Sequence, residues 1–358
     1  MKIYSKNEAK SLLNYLSSER IPFLLLTDFL GEKSIIRPLN EIDSYNLKFD
    51  INGKSNYEEV EILNDFQIDF EKFPLPFHLY QKAFNLVKKN ILLGNSFLTN
   101  LTCETPIDLN ISLENVFKIS EAKYKIWLKE NEFFNEFVCF SPEIFVKIDK
   151  HGNISSFPMK GTIDANLLNA EEILLNDKKE YYEHTTIVDL IRNDLSKVAE
   201  KVWVEKFRYL DKVKKQDESE LLQVSSQISG LLARDWKEKL GEIIYELLPA
   251  GSISGAPKDK TIELINEAEK LTYFQTQNRG FYTGICGVFD GETFDSGVMI
   301  RFIEQTDEDK VFKSGGGITS NSIAENEFQE MIQKIYVPII RNNKMSKSAT
   351  SQPVLSQS

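Results

Sequence analysis

Tyr282-Thr283-Gly284-Ile285-Cys286-Gly287-Val288-Phe289-Asp290-Gly291-Glu292-Thr293-Phe294-Asp295-Ser296-Gly297-Val298-Met299-Ile300-Arg301-Phe302 is the stretch whose reading decides the fold. Tyr282–Phe289 and Thr293–Phe302 read as strands, and Asp290-Gly291 between them suits a tight hairpin turn, which needs positive φ. A second hairpin is expected where Ile144–Ile148 turns through His151-Gly152-Asn153 into Ile154–Phe157. Shorter strand signals lie at Phe23–Leu26, Ser34–Arg37, Ser96–Thr102, Val138–Phe140 and Val311–Lys313. Apolar residues at helical spacing run from Phe77 to Gly94, over about 169–195 and 235–247, and from Pro257 to about 270. No internal repeat is present. Hairpins with interspersed helices predict an α+β fold with antiparallel sheets.

The 358 residues are 41% hydrophobic and 27% charged, the composition of a globular chain long enough for one large domain or two ordinary ones. A formal net charge of −11 without a basic stripe argues against a nucleic-acid surface. Cys103, Cys139 and Cys286 are scattered, with no spacing for zinc or a disulfide framework. The Met1–Lys10 segment lacks the apolar core of a signal peptide, and Ile21–Leu30 is too short and too interrupted to span a bilayer. A cytoplasmic protein with no membrane partner is expected.

Two glutamate pairs share one spacing, Glu180/Glu183 and Glu327/Glu330. Three-residue spacing on a helix sets both carboxylates on one face. Glu180 and Glu183 fall on the stripe of Ile187, Leu190 and Ile191, which should turn inward, and buried carboxylates need a cation or donors. Hard oxygen ligands from two such helices would suit magnesium. By spacing alone, solvated acidic faces are the plainer account. Gly251–Lys258 offers backbone N–H groups and the hydroxyls of Ser252 and Ser254 at a helix start, while Gly315-Gly316-Gly317 allows close approach to a ligand. Neither has the order of a P-loop or dinucleotide fingerprint. Pro158-Met159-Lys160-Gly161-Thr162 holds a lysine between backbone-fixing residues; it reads as a surface lysine or an aimed nucleophile.

Taken together and in order, these stretches resemble the chorismate-utilising enzymes, which include anthranilate, aminodeoxychorismate, isochorismate and salicylate synthases. The resemblance covers about 77–338. It rests on Glu183-His184 with Ile187–Leu190 and Arg192–Leu195, on Gly251–Lys258, Arg279–Gly284, Ile300-Arg301 and Gly315–Ile318, and on the second glutamate helix. It implies one large chorismate-binding domain of two packed antiparallel sheets with helices outside. Residues 1–72 would be a reduced N-terminal segment adding strands to it, 73–340 the catalytic region, and 341–358 a disordered tail. It also implies Mg2+ on Glu183 and Glu330, supported by Glu180 and Glu327. Tyr282, Arg301 and the Gly315, Gly316 and Gly317 backbone would hold chorismate, with Thr162 and Ser254 also binding substrate.

Within that family, Pro-x-Lys-Gly-Thr around Lys160 looks like the aminodeoxychorismate synthases, and Glu143 in Ser141-Pro142-Glu143 matches the general acid. Leu98 stands where water-activating members carry lysine and ammonia-using members commonly carry glutamine. Gln223 stands where the family usually has a histidine linked to pyruvate expulsion. The resemblance therefore implies amination of chorismate to 4-amino-4-deoxychorismate for 4-aminobenzoate and folate synthesis. Ammonia would come from a separate glutamine amidotransferase subunit, since Cys286 lacks the context of a glutaminase nucleophile. The rival readings are anthranilate synthase component I and a non-catalytic chorismate-binding regulatory subunit.

Overall fold

The computed structural model describes residues 1–58, 68–214 and 220–338. The acidic stretch from Ile62 and the tail at 341–358 lie in part or wholly outside these residues. The opening hairpin forms as Ile285–Phe289 against Phe294–Val298, with Phe289 opposite Phe294. Asp290 makes the turn: its Oδ1 accepts from the N–H groups of Glu292 at 2.9 Å and Thr293 at 2.7 Å, while Gly291 takes a φ of +97°. The expected strands are too long at the base. Tyr282–Gly284 and Met299–Arg301 leave the ladder, because Thr283 and Arg301 adopt left-handed backbone at φ +62° and +54°. The chain then continues as Phe302–Gln305 in a different sheet.

Two nine-stranded antiparallel sheets result among the described residues. The first runs Met159–Asp164, Glu220–Leu231, Asn153–Ser156, Ile144–Ile148, Phe294–Val298, Ile285–Phe289, Phe23–Thr27, Ser34–Pro38, with Lys201–Lys214 also paired to Glu220–Leu231. The second is built around Leu98–Leu109, Lys310–Ile318, Phe302–Gln305, Phe137–Ser141, Tyr124–Leu128 and Leu47–Ile51. Phe23–Thr27 explains how they stack. Its residues are all buried, Phe23 and Leu25 on one face and Leu24 and Leu26 on the other, as strand alternation requires. Leu24 and Leu26 join Val288, Ile126, Leu128, Cys139 and Phe302 in a core between the sheets. Phe23 and Leu25 pack outward under Lys6–Ser18, Leu240–Leu247 and Lys178–Ser196. The outer face of the second sheet is covered by Phe77–Leu92, Lys258–Ala268 and Ala324–Gln333, with Phe84, Leu264 and Phe328 in its core. The expected α+β architecture of two packed antiparallel sheets with outer helices is therefore the observed one. No described helix is long and apolar enough to cross a membrane.

The helical pattern read over about 169–195 is two helices, Ala170–Asn176 and Lys178–Ser196. Asp177 causes the break: its side chain caps the second helix by accepting from the Glu180 N–H at 3.0 Å. The three glycines at 315–317 were expected beyond a strand. They instead continue Lys310–Ile318, with Gly315 opposite Thr102 and Gly317 opposite Asn100. The neighbouring strand Phe302–Gln305 stops pairing at Lys313, so this part of the other edge is left without a strand.

Candidate active site

Where the chain passes between the sheets, a cavity of about 390 Å³ is lined by Glu143, Lys160, Glu183, Tyr282, Arg301, the three glycines and Lys334. Each arrives for a local reason. Glu143 follows Ser141-Pro142 in the turn between two strands, where the Ser141 hydroxyl accepts from the Glu143 N–H at 3.1 Å. The Ser252 hydroxyl, from the glycine-rich turn, donates to Glu143 Oε1 at 2.5 Å. Burial pushes the Glu143 carboxyl above its ordinary value, against the pull of Ser252 and the charges of Lys334 and Arg301. A raised carboxyl pKa is what a proton donor near neutral pH requires.

Lys160 lies on the strand Met159–Asp164, with its ammonium 2.8 Å from Glu183. Burial alone would push this lysine down, but Glu183 in contact, with Glu180 and Glu330 adding their charges, holds it above its ordinary value. Glu183 is aimed by its neighbour. His184 is fully buried, its Nε2 is 2.7 Å from Ser226 Oγ, and burial with the Arg208 and Lys160 charges pushes it down to about 4. A neutral His184 thus ties the glutamate helix to the strand Glu220–Leu231. On the second helix, Lys334 is 2.9 Å from Glu330 and donates to the Gly315 carbonyl at 2.9 Å. A Cβ on Gly315 would come within 2.4 Å of the Leu101 carbonyl, so that position has room only for glycine. One on Gly316 would meet Glu327 and Lys334 at 3.7 Å, which places that residue directly before the second acid pair.

The turn at Gly251–Ile253 is clamped. Lys258 reaches Asp194 at 3.0 Å and the Leu247 carbonyl at 3.1 Å, while a Cβ on Gly251 would stand 2.9 Å from Asp194. Ser252 lines the cavity as a result, and Ser254 does not. Ser254 is fully buried and its hydroxyl donates to the Ala250 carbonyl at 2.8 Å. Thr162 is also absent from the cavity lining: it is exposed on the strand opposite Gln223. Neither of these two side chains is among the residues that line the cavity. Leu98, Gln223, Asn100 and Ser252 do line the cavity. Of these, Asn100 is a contributor that the residue patterns did not single out, and Ser252 is one they offered only together with Ser254. Strand alternation from Leu98 points to the first, and only the fold brings the second to Glu143, 109 residues away in sequence.

Four carboxylates on two helices are chemically suited to a hard divalent cation. Among the described residues no three His, Cys, Asp or Glu side chains are gathered tightly enough to hold a metal. Glu183 contacts Lys160 and Glu330 contacts Lys334.

The sequence profile of the family described as chorismate binding enzyme matches residues 37–339. An uncharacterised PabA-like protein of Haemophilus influenzae is 49% identical over 326 residues, covering 91% of this chain and 95% of that protein. Aminodeoxychorismate synthase component 1 of Bacillus subtilis is 29% identical over 270 residues, or 72% of this chain and 54% of that enzyme. Among solved structures, the isochorismate synthase DhbC of Bacillus anthracis superposes with a TM-score of 0.68 at 17% identity, covering 93% of this chain and 88% of that one, a likeness of fold. With a profile match over residues 37–339, which take in every residue of the cavity, this chain belongs to the chorismate binding enzyme family.

Proposed function

We propose that the chain aminates chorismate, giving 4-amino-4-deoxychorismate and water. The observation that carries this reading is that Lys160 and Glu143 line one cavity with Arg301. Lys160 first gives the proton it holds against Glu183 to solvent water, and regains one from water once it is released at the end of the cycle. Its neutral amine then forms a bond to C2 of the ring, the ring double bond shifts, and the C4–O bond breaks as Glu143 gives its proton to the departing hydroxyl, which leaves as water. Ammonia next bonds to C4, the double bond shifts back, and the C2–N bond breaks to release Lys160. The new C4 ammonium returns a proton to Glu143. Arg301 and Lys334 supply positive charge for the substrate carboxylates. Mg2+ held by Glu183 and Glu330, with Glu180 and Glu327 behind them, would neutralise carboxylate charge in an acidic protein.

Gln223 faces the same cavity, and an amide cannot carry a proton, which favours retention of pyruvate over an anthranilate synthase outcome. The ammonia would come from a glutaminase on another chain. Intact mass after incubation with chorismate and magnesium, without ammonia, is expected to show an adduct absent from Lys160→Ala. An unmodified wild-type mass under trapping conditions that capture such adducts argues against the covalent step. Fluorescent anthranilate formed from chorismate and ammonia would replace this reading with the lyase one. Glutamine serving the purified chain as well as ammonium salts do would remove the need for a partner.

A further inference from the structure

We infer that Lys88 is a positioning residue for the substrate, its ammonium holding the turn 319–322 in place as one side of the cavity mouth; this rests on the reading that the cavity takes chorismate. The turn joins the strand of the three glycines, Lys310–Ile318, to the glutamate helix Ala324–Gln333 and belongs to neither. Thr319, Ser320 and Asn321 line the cavity. Ser320 and Asn321 are exposed there, as the lining residues Phe97 and Tyr182 are, so they belong to its mouth. Lys88 arrives from the helix Phe77–Leu92, 231 residues before Thr319. Its Nζ donates to the carbonyls of Ser320 at 2.7 Å, Ser322 at 2.8 Å and Thr319 at 3.4 Å. A lysine ammonium has three N–H bonds and accepts nothing, so all three are spent on this one turn.

The turn's own bonds close it on itself. Ser322 Oγ accepts from the Thr319 N–H at 3.1 Å, and the Ser322 N–H donates to the Thr319 carbonyl at 3.3 Å. Among the described residues, Lys88 makes the hydrogen bonds that join the turn to another element. These are charge-assisted bonds, the stronger kind, and the cation between them is what lets three carbonyl dipoles converge. The helix that follows is held by other means: Phe328 packs against Phe77 and Tyr80 with ring centres 5.3 and 5.2 Å apart. Removing the ammonium therefore frees the turn while the helix keeps its packing. Lys88 acts through backbone alone and sets where Thr319, Ser320 and Asn321 stand without lining the cavity itself. Contacts at the mouth lie away from the breaking bond and are made alike in ground and transition states, so their loss raises KM more than it lowers kcat.

The test uses the intact chain with magnesium and excess ammonium chloride, following the aminated product by mass as chorismate is varied. Lys88→Met keeps an apolar stem beside the Phe84 ring, 5.9 Å from Nζ, and removes the donors. It is expected to raise the KM for chorismate about tenfold with kcat within about threefold, while Lys88→Arg, which still donates, stays within about threefold of the wild-type KM. Ser322→Ala loosens the same turn from inside and is expected to raise the KM about threefold. Calorimetric titration with chorismate and magnesium, without ammonia, reads binding alone in a Lys160→Ala chain, which cannot form the adduct. Adding Lys88→Met to that chain should weaken binding by about the same tenfold. An unchanged KM in Lys88→Met overturns the inference, as does a fall in kcat with KM unchanged, the mark of a merely structural role, or an arginine variant as weak as the methionine one. Should Lys88→Met not fold, Ser322→Ala decides by the same split of KM from kcat. A wild-type chain that makes no aminated product, with calorimetric binding that still depends on Lys88, overturns the amination reading and leaves this one standing. An aminating wild type whose binding is the same with and without Lys88 overturns this inference alone.

Discussion

Arg279 and Arg301 are both drawn into the protein, and the fold treats them in opposite ways. Arg279 is 2% exposed and fully engaged: Nε and Nη2 hold Glu269 at 2.9 and 2.6 Å, Nη1 donates to the Ile253 carbonyl and Nη2 to that of Asn100. Glu269 is completed by the N–H and hydroxyl of Thr102. Arg301 has strained left-handed backbone, forms no salt bridge to a described carboxylate, and leaves its buried Nε without a partner. The first arginine is a tie between the glycine-rich turn, the strand Leu98–Leu109 and the residues leading to Tyr282. The second is a donor set left incomplete by the protein, as expected of a group completed by an anionic ligand.

The contrast breaks most readily at Arg279. Arg279→Met strands Glu269 in the interior, and removing one partner of a buried pair costs about 3–5 kcal/mol of stability. Denaturant unfolding should show that loss, whereas Arg301→Met should stay within about 1 kcal/mol of wild type by the same measurement. A comparable loss at Arg301 would make it a structural residue. Next in size is Glu143→Gln, which keeps the shape but removes the proton. Loss of a general acid lowers kcat by about 10²- to 10⁴-fold, measured with ammonia in excess. Arg301→Met should then raise the KM for chorismate roughly 10- to 100-fold, the scale of a lost charged hydrogen bond, with a smaller change in kcat.

These sites were unequally legible from the amino-acid order. The glutamate pairs announce themselves because a spacing of three sets them on one helix face, and the structure turns Glu183 toward Lys160. The Asp290-Gly291 hairpin is equally local. The long pair Lys201–Lys214 and Glu220–Leu231 is not, since Lys201, Glu205, Lys206 and Arg208 mask the alternation and register shifts interrupt it between Val204 and Tyr209. Whether Ser252 or Ser254 faces the cavity depends on the single 3-10 turn Gly251–Ile253, whose direction comes from the Asp194–Lys258 clamp. Asn100 takes its place in the cavity lining only when Arg279 and Ser254 fix its backbone, and both contacts are distant in sequence.

The smallest effect tests the link between the clamped turn and the acid. Glu143 works as an acid only while it holds its proton, so the rate is full below its pKa and falls as pH rises through it. Ser252 donates a hydrogen bond to the carboxylate and so favours the charged form, lowering a pKa that burial has raised. Removing that donor in Ser252→Ala must move the alkaline limb of kcat to higher pH. A hydrogen bond is worth about 1 kcal/mol net and one pH unit about 1.4, so the shift should be roughly half to one unit. Lys258→Met leaves Ser252 in place but loosens its turn, and should give part of the same shift, with partial recovery in Lys258→Arg. That graded pattern is not expected if the turn only supports the fold, because a general loss of stability lowers the active fraction without moving the limb. A shift to lower pH would mean that Ser252 accepts from a protonated Glu143, with the hydroxyl stabilising the acid form instead.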